Sequence, residues 1–162
     1  MATYTDSYGF NKGTADAYLA ADLGKIVVAS VDLDFSEIAA ARVTAGVSAL
    51  AANDVLEIIR VPADTLVMAV GVDVTTAEGA TFTFDLGDGA DTNGYLATVN
   101  GNTVAASASN TLTLAEGTPN TVTGYGSVGK YYASADTIDI VLGHNSVDTA
   151  VMRVWAVMVN CS

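Results

Sequence analysis

Thr81-Phe82-Thr83-Phe84-Asp85-Leu86, followed at once by Gly87-Asp88-Gly89, decides the fold class. Phe82, Phe84 and Leu86 alternate strictly with Thr81, Thr83 and Asp85, and a period of two sends the first set to one side of a pleated strand and the second to the other. The Gly-Asp-Gly that follows offers residues that tolerate the backbone of a tight turn. The same logic repeats in Ile138, Ile140 and Leu142 against Thr137, Asp139 and Val141. Outward from these stretches, strands are expected at Lys25–Leu33, Asp54–Val61, Thr65–Thr75, Ala80–Leu86, Tyr95–Val99, Asn110–Leu114, Thr121–Tyr125, Lys130–Ala133, Thr137–Leu142 and Ala150–Asn160. Short β runs parted by turn signals indicate an antiparallel sandwich or barrel. Pro62, which has no N–H, interrupts pairing after Val61. The run from Val151 to Val159 is apolar on both faces except at Arg153, which predicts a strand at the centre of a sheet or beside a subunit interface.

Two regions depart from this pattern. Residues 36–52 are rich in alanine, which predicts a short helix near residues 36–41 with Ser36 as its N-cap, then a segment of small residues past Gly46. Residues 1–23 carry Tyr4, Tyr8, Phe10 and Tyr18 among Thr, Asp, Gly and Asn without a steady period, and read as an N-terminal arm. Aromatic side chains on a segment with no core of its own need a surface to cover them, so these four are the interface candidates. Residues 24–162 form the sandwich domain. Residues 100–109 are small and polar and predict an exposed loop.

Composition narrows the function. The chain has 162 residues, 51% of them apolar and 15% charged, which suits one folded domain and not a disordered chain. Its net charge of −12 opposes any phosphate backbone, so no nucleic acid partner is expected. No apolar run approaches the ~20 residues that span a bilayer, and no membrane partner is expected. The first residues have neither a basic start nor an apolar run, so the expectation is a protein made in a cytoplasm. Cys161 is the single cysteine, which rules out an intrachain disulfide.

No catalytic site and no cofactor are expected. Gly124-Tyr125-Gly126-Ser127-Val128-Gly129 spells G-x-G-x-x-G, but Lys130-Tyr131-Tyr132 follows as a strand, leaving no helix N-terminus for a pyrophosphate. His144 sits in a turn without a nucleophile motif, and Cys161 has no histidine motif nearby. Asp85, Asp88, Asp91 and Asn93 gather oxygen ligands in one loop and are the only metal candidates, for a hard cation such as calcium. They lack the EF-hand spacing, and turns explain Asp and Asn by their own backbone hydrogen bonds, so no metal is expected.

Several stretches together suggest a family: Asp54–Leu66, Val70–Glu78, Phe84–Gly89, Asp136–Ile140, and Arg153-Val154-Trp155. They resemble small structural proteins of tailed bacteriophages, nearest to head decoration (cement) or head-fibre proteins of jelly-roll type, over roughly residues 50 to 160. The resemblance implies a jelly-roll β-sandwich that assembles with itself as a trimer, binds the major capsid protein, and stabilises the outer surface of a virion head. A tail- or fibre-associated β protein is the nearest alternative. A carbohydrate-binding sandwich, stacking sugars on Tyr131, Tyr132 and Trp155, is another.

Overall fold

The structure is a computed structural model that describes residues 3–4, 26–104, 107–111, 125, 129–144 and 146–161. Ten strands and one helix follow in chain order: β1 (Thr3–Tyr4), β2 (Ile26–Asp34), α1 (Phe35–Thr44), β3 (Val55–Val61), β4 (Thr65–Thr76), β5 (Thr83–Gly87), β6 (Leu96–Asn100), β7 (Ser107–Thr111), β8 (Lys130–Tyr132), β9 (Asp136–Leu142) and β10 (Val151–Asn160). They pair into two sheets. The first runs β1-β3-β9-β5-β6, and the second runs β2-β10-β4-β7, with β8 also on β4.

Setting aside the short β1 and β8, the wiring is that of a jelly roll. β2 pairs antiparallel with β10, β3 with β9, β4 with β7 and β5 with β6. The chain is thus one long antiparallel hairpin wound around the sandwich, and the two halves of each winding fall in the same sheet. β7 and β8 share one edge of β4: Ala69–Asp73 pairs with β7, and Thr65–Val67 pairs with β8.

Alternation places the core as expected. Phe82, Phe84, Leu86, Ile138, Ile140 and Leu142 are all buried between the sheets. Val67, Val70, Val72 and Val74 of β4 and Met152, Val154, Ala156 and Met158 of β10 meet them from the second sheet. β10 is central, flanked by β2 and β4, as its apolar run suggested. Its second face is half-buried, and this face returns below.

Four expectations need correction. The helix is longer than residues 36–41, and its N-cap is Asp34, not Ser36. Asp34 Oδ1 accepts the amides of Ser36 at 2.9 Å and Glu37 at 3.3 Å, because a carboxylate two residues before Ser36 reaches the orphan N–H groups of the first turn. The helix ends where the Gly46 amide donates to Val43 and the Val47 amide to Arg42, with Gly46 left-handed at φ 68, a Schellman closure. Secondly, residues 100–109 are not all loop: Ser107–Thr111 is β7, whose small polar side chains hid a strand held by backbone pairing to β4. The strand expected at Asn110–Leu114 therefore begins three residues earlier, and its residues 112–114 lie outside the described ones. Thirdly, the strand expected from Ala80 begins only at Thr83, with Phe82 buried just ahead of it. Lastly, Tyr125 lies in a helical turn and not at a strand end.

Candidate functional site

The oxygen-rich loop after β5 is built inward. Asp88 is fully buried and accepts from five groups. Its Oδ1 takes the amides of Ala90 at 2.9 Å and Asp91 at 3.0 Å and the Tyr125 hydroxyl at 3.1 Å. Its Oδ2 takes the Tyr132 hydroxyl at 2.7 Å and the ammonium of Lys130. The Lys130 ammonium also donates to the Tyr125 hydroxyl at 2.7 Å, and the Tyr95 and Tyr132 hydroxyls bond each other at 2.8 Å. Burial pushes the Asp88 carboxyl up, but the bonds from Lys130, Tyr132 and the two amides outweigh it and hold the group below the usual carboxylate range. Burial likewise pulls Lys130 down, and Asp88 more than restores it. Burial pushes both Tyr95 and Tyr132 well above an ordinary phenol.

The other carboxylates of the oxygen cluster also accept hydrogen bonds from within the protein. Asp85 Oδ1 accepts the Thr98 amide at 2.6 Å, and Asp91 Oδ1 the Asn93 amide at 3.4 Å, so Asp85, Asp88 and Asp91 are all engaged with their own backbone. Among the described residues no group of three His, Cys, Asp or Glu side chains is arranged to hold a metal. The loop is a brace joining β5, β8 and Tyr125. Its Asp-Gly turn was visible in sequence, and so was the strand that carries Lys130 and Tyr132. The pairing of Asp88 with Lys130, 42 residues apart, was not.

Asp139 is another of the buried carboxylates, with Asp54 and Glu78. Alternation puts it on the outer face of its sheet, opposite Ile138 and Ile140, yet it is only 6% exposed. Its cross-strand neighbours are Glu57 on β3 and Gly87 on β5. A Cβ at Gly87 would stand 2.0 Å from the Asp91 carbonyl oxygen, so the Asp88–Asn93 turn folds over this row. One Asp139 oxygen has no hydrogen-bond partner. Burial first, then the charges of Glu57, Asp136 and Asp88, push the group up to about 7, against a bond from Thr137.

The outer face of the second sheet is its opposite in chemistry. The registers set it out in rows. Ile26, Val159, Leu66 and Tyr131 form the first row, and Val28, Val157 and Ala69 the second. Ser30, Trp155 and Gly71 form the third, where a Cβ on Gly71 would lie 2.2 Å from the indole, so the ring lies flat over the glycine. The fourth is Asp32, Arg153 and Asp73, with Arg153 bidentate on Asp32 at 2.7 and 3.0 Å. The Arg153 bond holds the Asp32 carboxyl below its usual range. Ile26 and Val28 are each 66% exposed and Tyr131 52%, among the most exposed large apolar side chains described. The face is an exposed apolar surface, flat and not a pocket.

Other sequence candidates fall as follows. Tyr4 lies in β1, which pairs parallel with Val55–Leu56, while Tyr8, Phe10 and Tyr18 lie outside the described residues. Of the stacking candidates, Tyr132 is buried in the core and Trp155 is half-buried on Gly71, which leaves Tyr131 as the exposed ring, its hydroxyl donating to Asp64 at 2.7 Å. The glycine-rich stretch ends at Gly129, left-handed at φ 71 and followed directly by β8, so a strand leaves it. His144 is half-buried in the turn after β9 and makes no hydrogen bond among the described residues. Cys161 is an exposed free thiol.

No protein-family profile and no curated protein matches the sequence. The fold does find company. A chain of the capsid of Ralstonia phage GP4 superposes with a TM-score of 0.57 at 13% identity, covering 99% of this chain and 100% of that one. A chain from the acidic stable capsid of Helicobacter pylori bacteriophage KHP30 superposes with a TM-score of 0.53 at 11% identity, over 82% of this chain and 86% of that one. At these identities the likeness is one of fold: this chain shares its overall fold with these two chains from phage capsid structures.

Proposed function

We propose that this chain is a virion structural protein that decorates a phage head, binding the outer surface of the major capsid protein shell and stabilising it through contacts with copies of itself, as a trimer. The observation that carries the reading is the match in wiring to a phage capsid chain along the whole length of both. The chemistry supports it. The one buried charge cluster is a closed brace, the exposed chemistry is an apolar face, and a net charge of −12 sits more easily outside a DNA-filled head than within it. Repetition by symmetry lets many weak contacts hold a shell without a single tight site. Tyr4, Tyr8, Phe10 and Tyr18 serve in this reading as the part of residues 1–23 that laces subunits together.

The test is to mix the purified chain with phage heads assembled without it and to count bound copies by electron cryomicroscopy. Saturation on the outer surface, at a copy number fixed by the shell lattice, is the expected result. Removing residues 1–23 should weaken that binding. A few copies confined to the tail would move the protein to the tail-associated class, and no binding at all would end the capsid reading.

A further inference from the structure

The longest strand at the margin of either sheet is β2, nine residues from Ile26 to Asp34. Its register with β10 runs through nine consecutive pairs without a bulge, whereas the β10–β4 ladder is shifted twice. The opposite margin of the same sheet is split between β7 and β8, and the far margin of the other sheet is the five-residue β6. Soluble proteins guard long edges with proline, charge, a bulge or a covering segment, because unpaired N–H and C=O groups template another strand. Residues 26–31 have neither proline nor charge, and among the described residues nothing pairs with the free side of β2. The two apolar rows of the outer face run up to this edge and end there in Ile26 and Val28, at 66% exposure each.

We propose that β2 is a two-fold interface at which a second copy of this chain adds its own β2, antiparallel, so that two second sheets become one continuous sheet. Each copy then supplies the backbone donors and acceptors the other lacks, the self-complementary condition of a two-fold contact. The apolar rows of both copies meet at the seam. Charge favours the same choice. Residues 26–31 carry no charge to repel a second copy of a chain of −12, and an antiparallel partner sets the Asp32 and Asp34 end of one strand towards the end at which Lys25 precedes the other. Such a contact is separate from the proposed trimer, and a shell lattice has axes of both kinds. It concerns the isolated chain and rests on no part of the capsid reading, so either can fail alone.

Light scattering on the full chain tests it. Val28→Lys places a cation on the edge at a site exposed enough to leave the fold unchanged. The wild-type mass should be an even number of chains and should halve in the variant. A second variant, Val28→Cys with Ser30→Cys in a Cys161→Ser background, should form an intermolecular disulfide under mild oxidation, and this readout stands even where the lysine variant fails to fold. A mass that Val28→Lys leaves unchanged, a single chain included, would overturn the proposal. So would a halved mass without the disulfide, or a single-chain species whose introduced thiols are shielded, which would mean that residues 5–25 cover the edge instead.

Discussion

The Asp88 brace and the outer face of the second sheet are mirror cases of where a protein puts its chemistry. At Asp88 a carboxylate and an ammonium are driven inside, and each is matched by hydroxyls and amides until nothing is left over for a ligand. On the sheet face isoleucine, valine and tyrosine are left outside with nothing over them among the described residues. The charged place is therefore structural, and the apolar place is the one free to meet another molecule. Charged groups in a cluster invite a functional reading, and here the satisfied hydrogen bonds argue against it.

The contrast can be broken most directly at Asp88. Asp88→Ala would leave the Lys130 ammonium and the Tyr132 hydroxyl without their acceptor, and removing one partner of a buried pair costs about 3 kcal/mol or more. In a domain of this size that lowers the melting temperature by roughly 10 °C, read by calorimetry. A loss of only a degree or two would mean that the brace is no stronger than a surface pair.

Acidity separates Asp88 from Asp139. Asp88, held below its ordinary value, adds stability that is present above the unfolded pKa near 4 and is lost as the pH falls through the folded one. Asp139 has the opposite sign. Raised to about 7 in the folded state, it stays protonated while the unfolded chain ionises, so stability falls between about pH 4 and 7, by up to a few kcal/mol. Asp139→Asn should flatten that fall and leave the variant the more stable protein at pH 8. Urea titrations at pH 5 and pH 8 measure it, and an unchanged pH dependence would show that the Asp139 carboxyl ionises freely.

The smallest effect is expected at the exposed pair. Both Arg153 and Asp32 are more than half exposed, and such pairs are weak and screened by salt. Arg153→Ala should move the melting temperature by under about 2 °C. A larger loss, persisting in high salt, would show that the fourth row of the face holds the sheet together in earnest.

Much of the architecture was legible beforehand because alternation reports burial directly. Phe82, Phe84, Leu86, Ile138, Ile140 and Leu142 went where a period of two sends them. Periodicity was mute where side chains are small, so the first three residues of β7, Ser107–Ser109, were read as loop. Residue type pointed to Ser36 as the helix cap, and the hydrogen bonds give that place to Asp34. The oxygen cluster was visible, but whether its lone pairs faced solvent or were already taken was not.

The amino-acid sequence by itself therefore determined the β class, the inward and outward sets along the clearest strands, and the central place of Val151–Val159. Those follow from local periods. Only the tertiary structure decided the jelly-roll order of strands, the burial of Asp88 against Lys130, the covering of Asp139 by the turn over Gly87, and the place of β2 at the margin of its sheet among the described strands. Each of these depends on which distant residues meet, and sequence patterns carry the preferences of single segments, not their pairing.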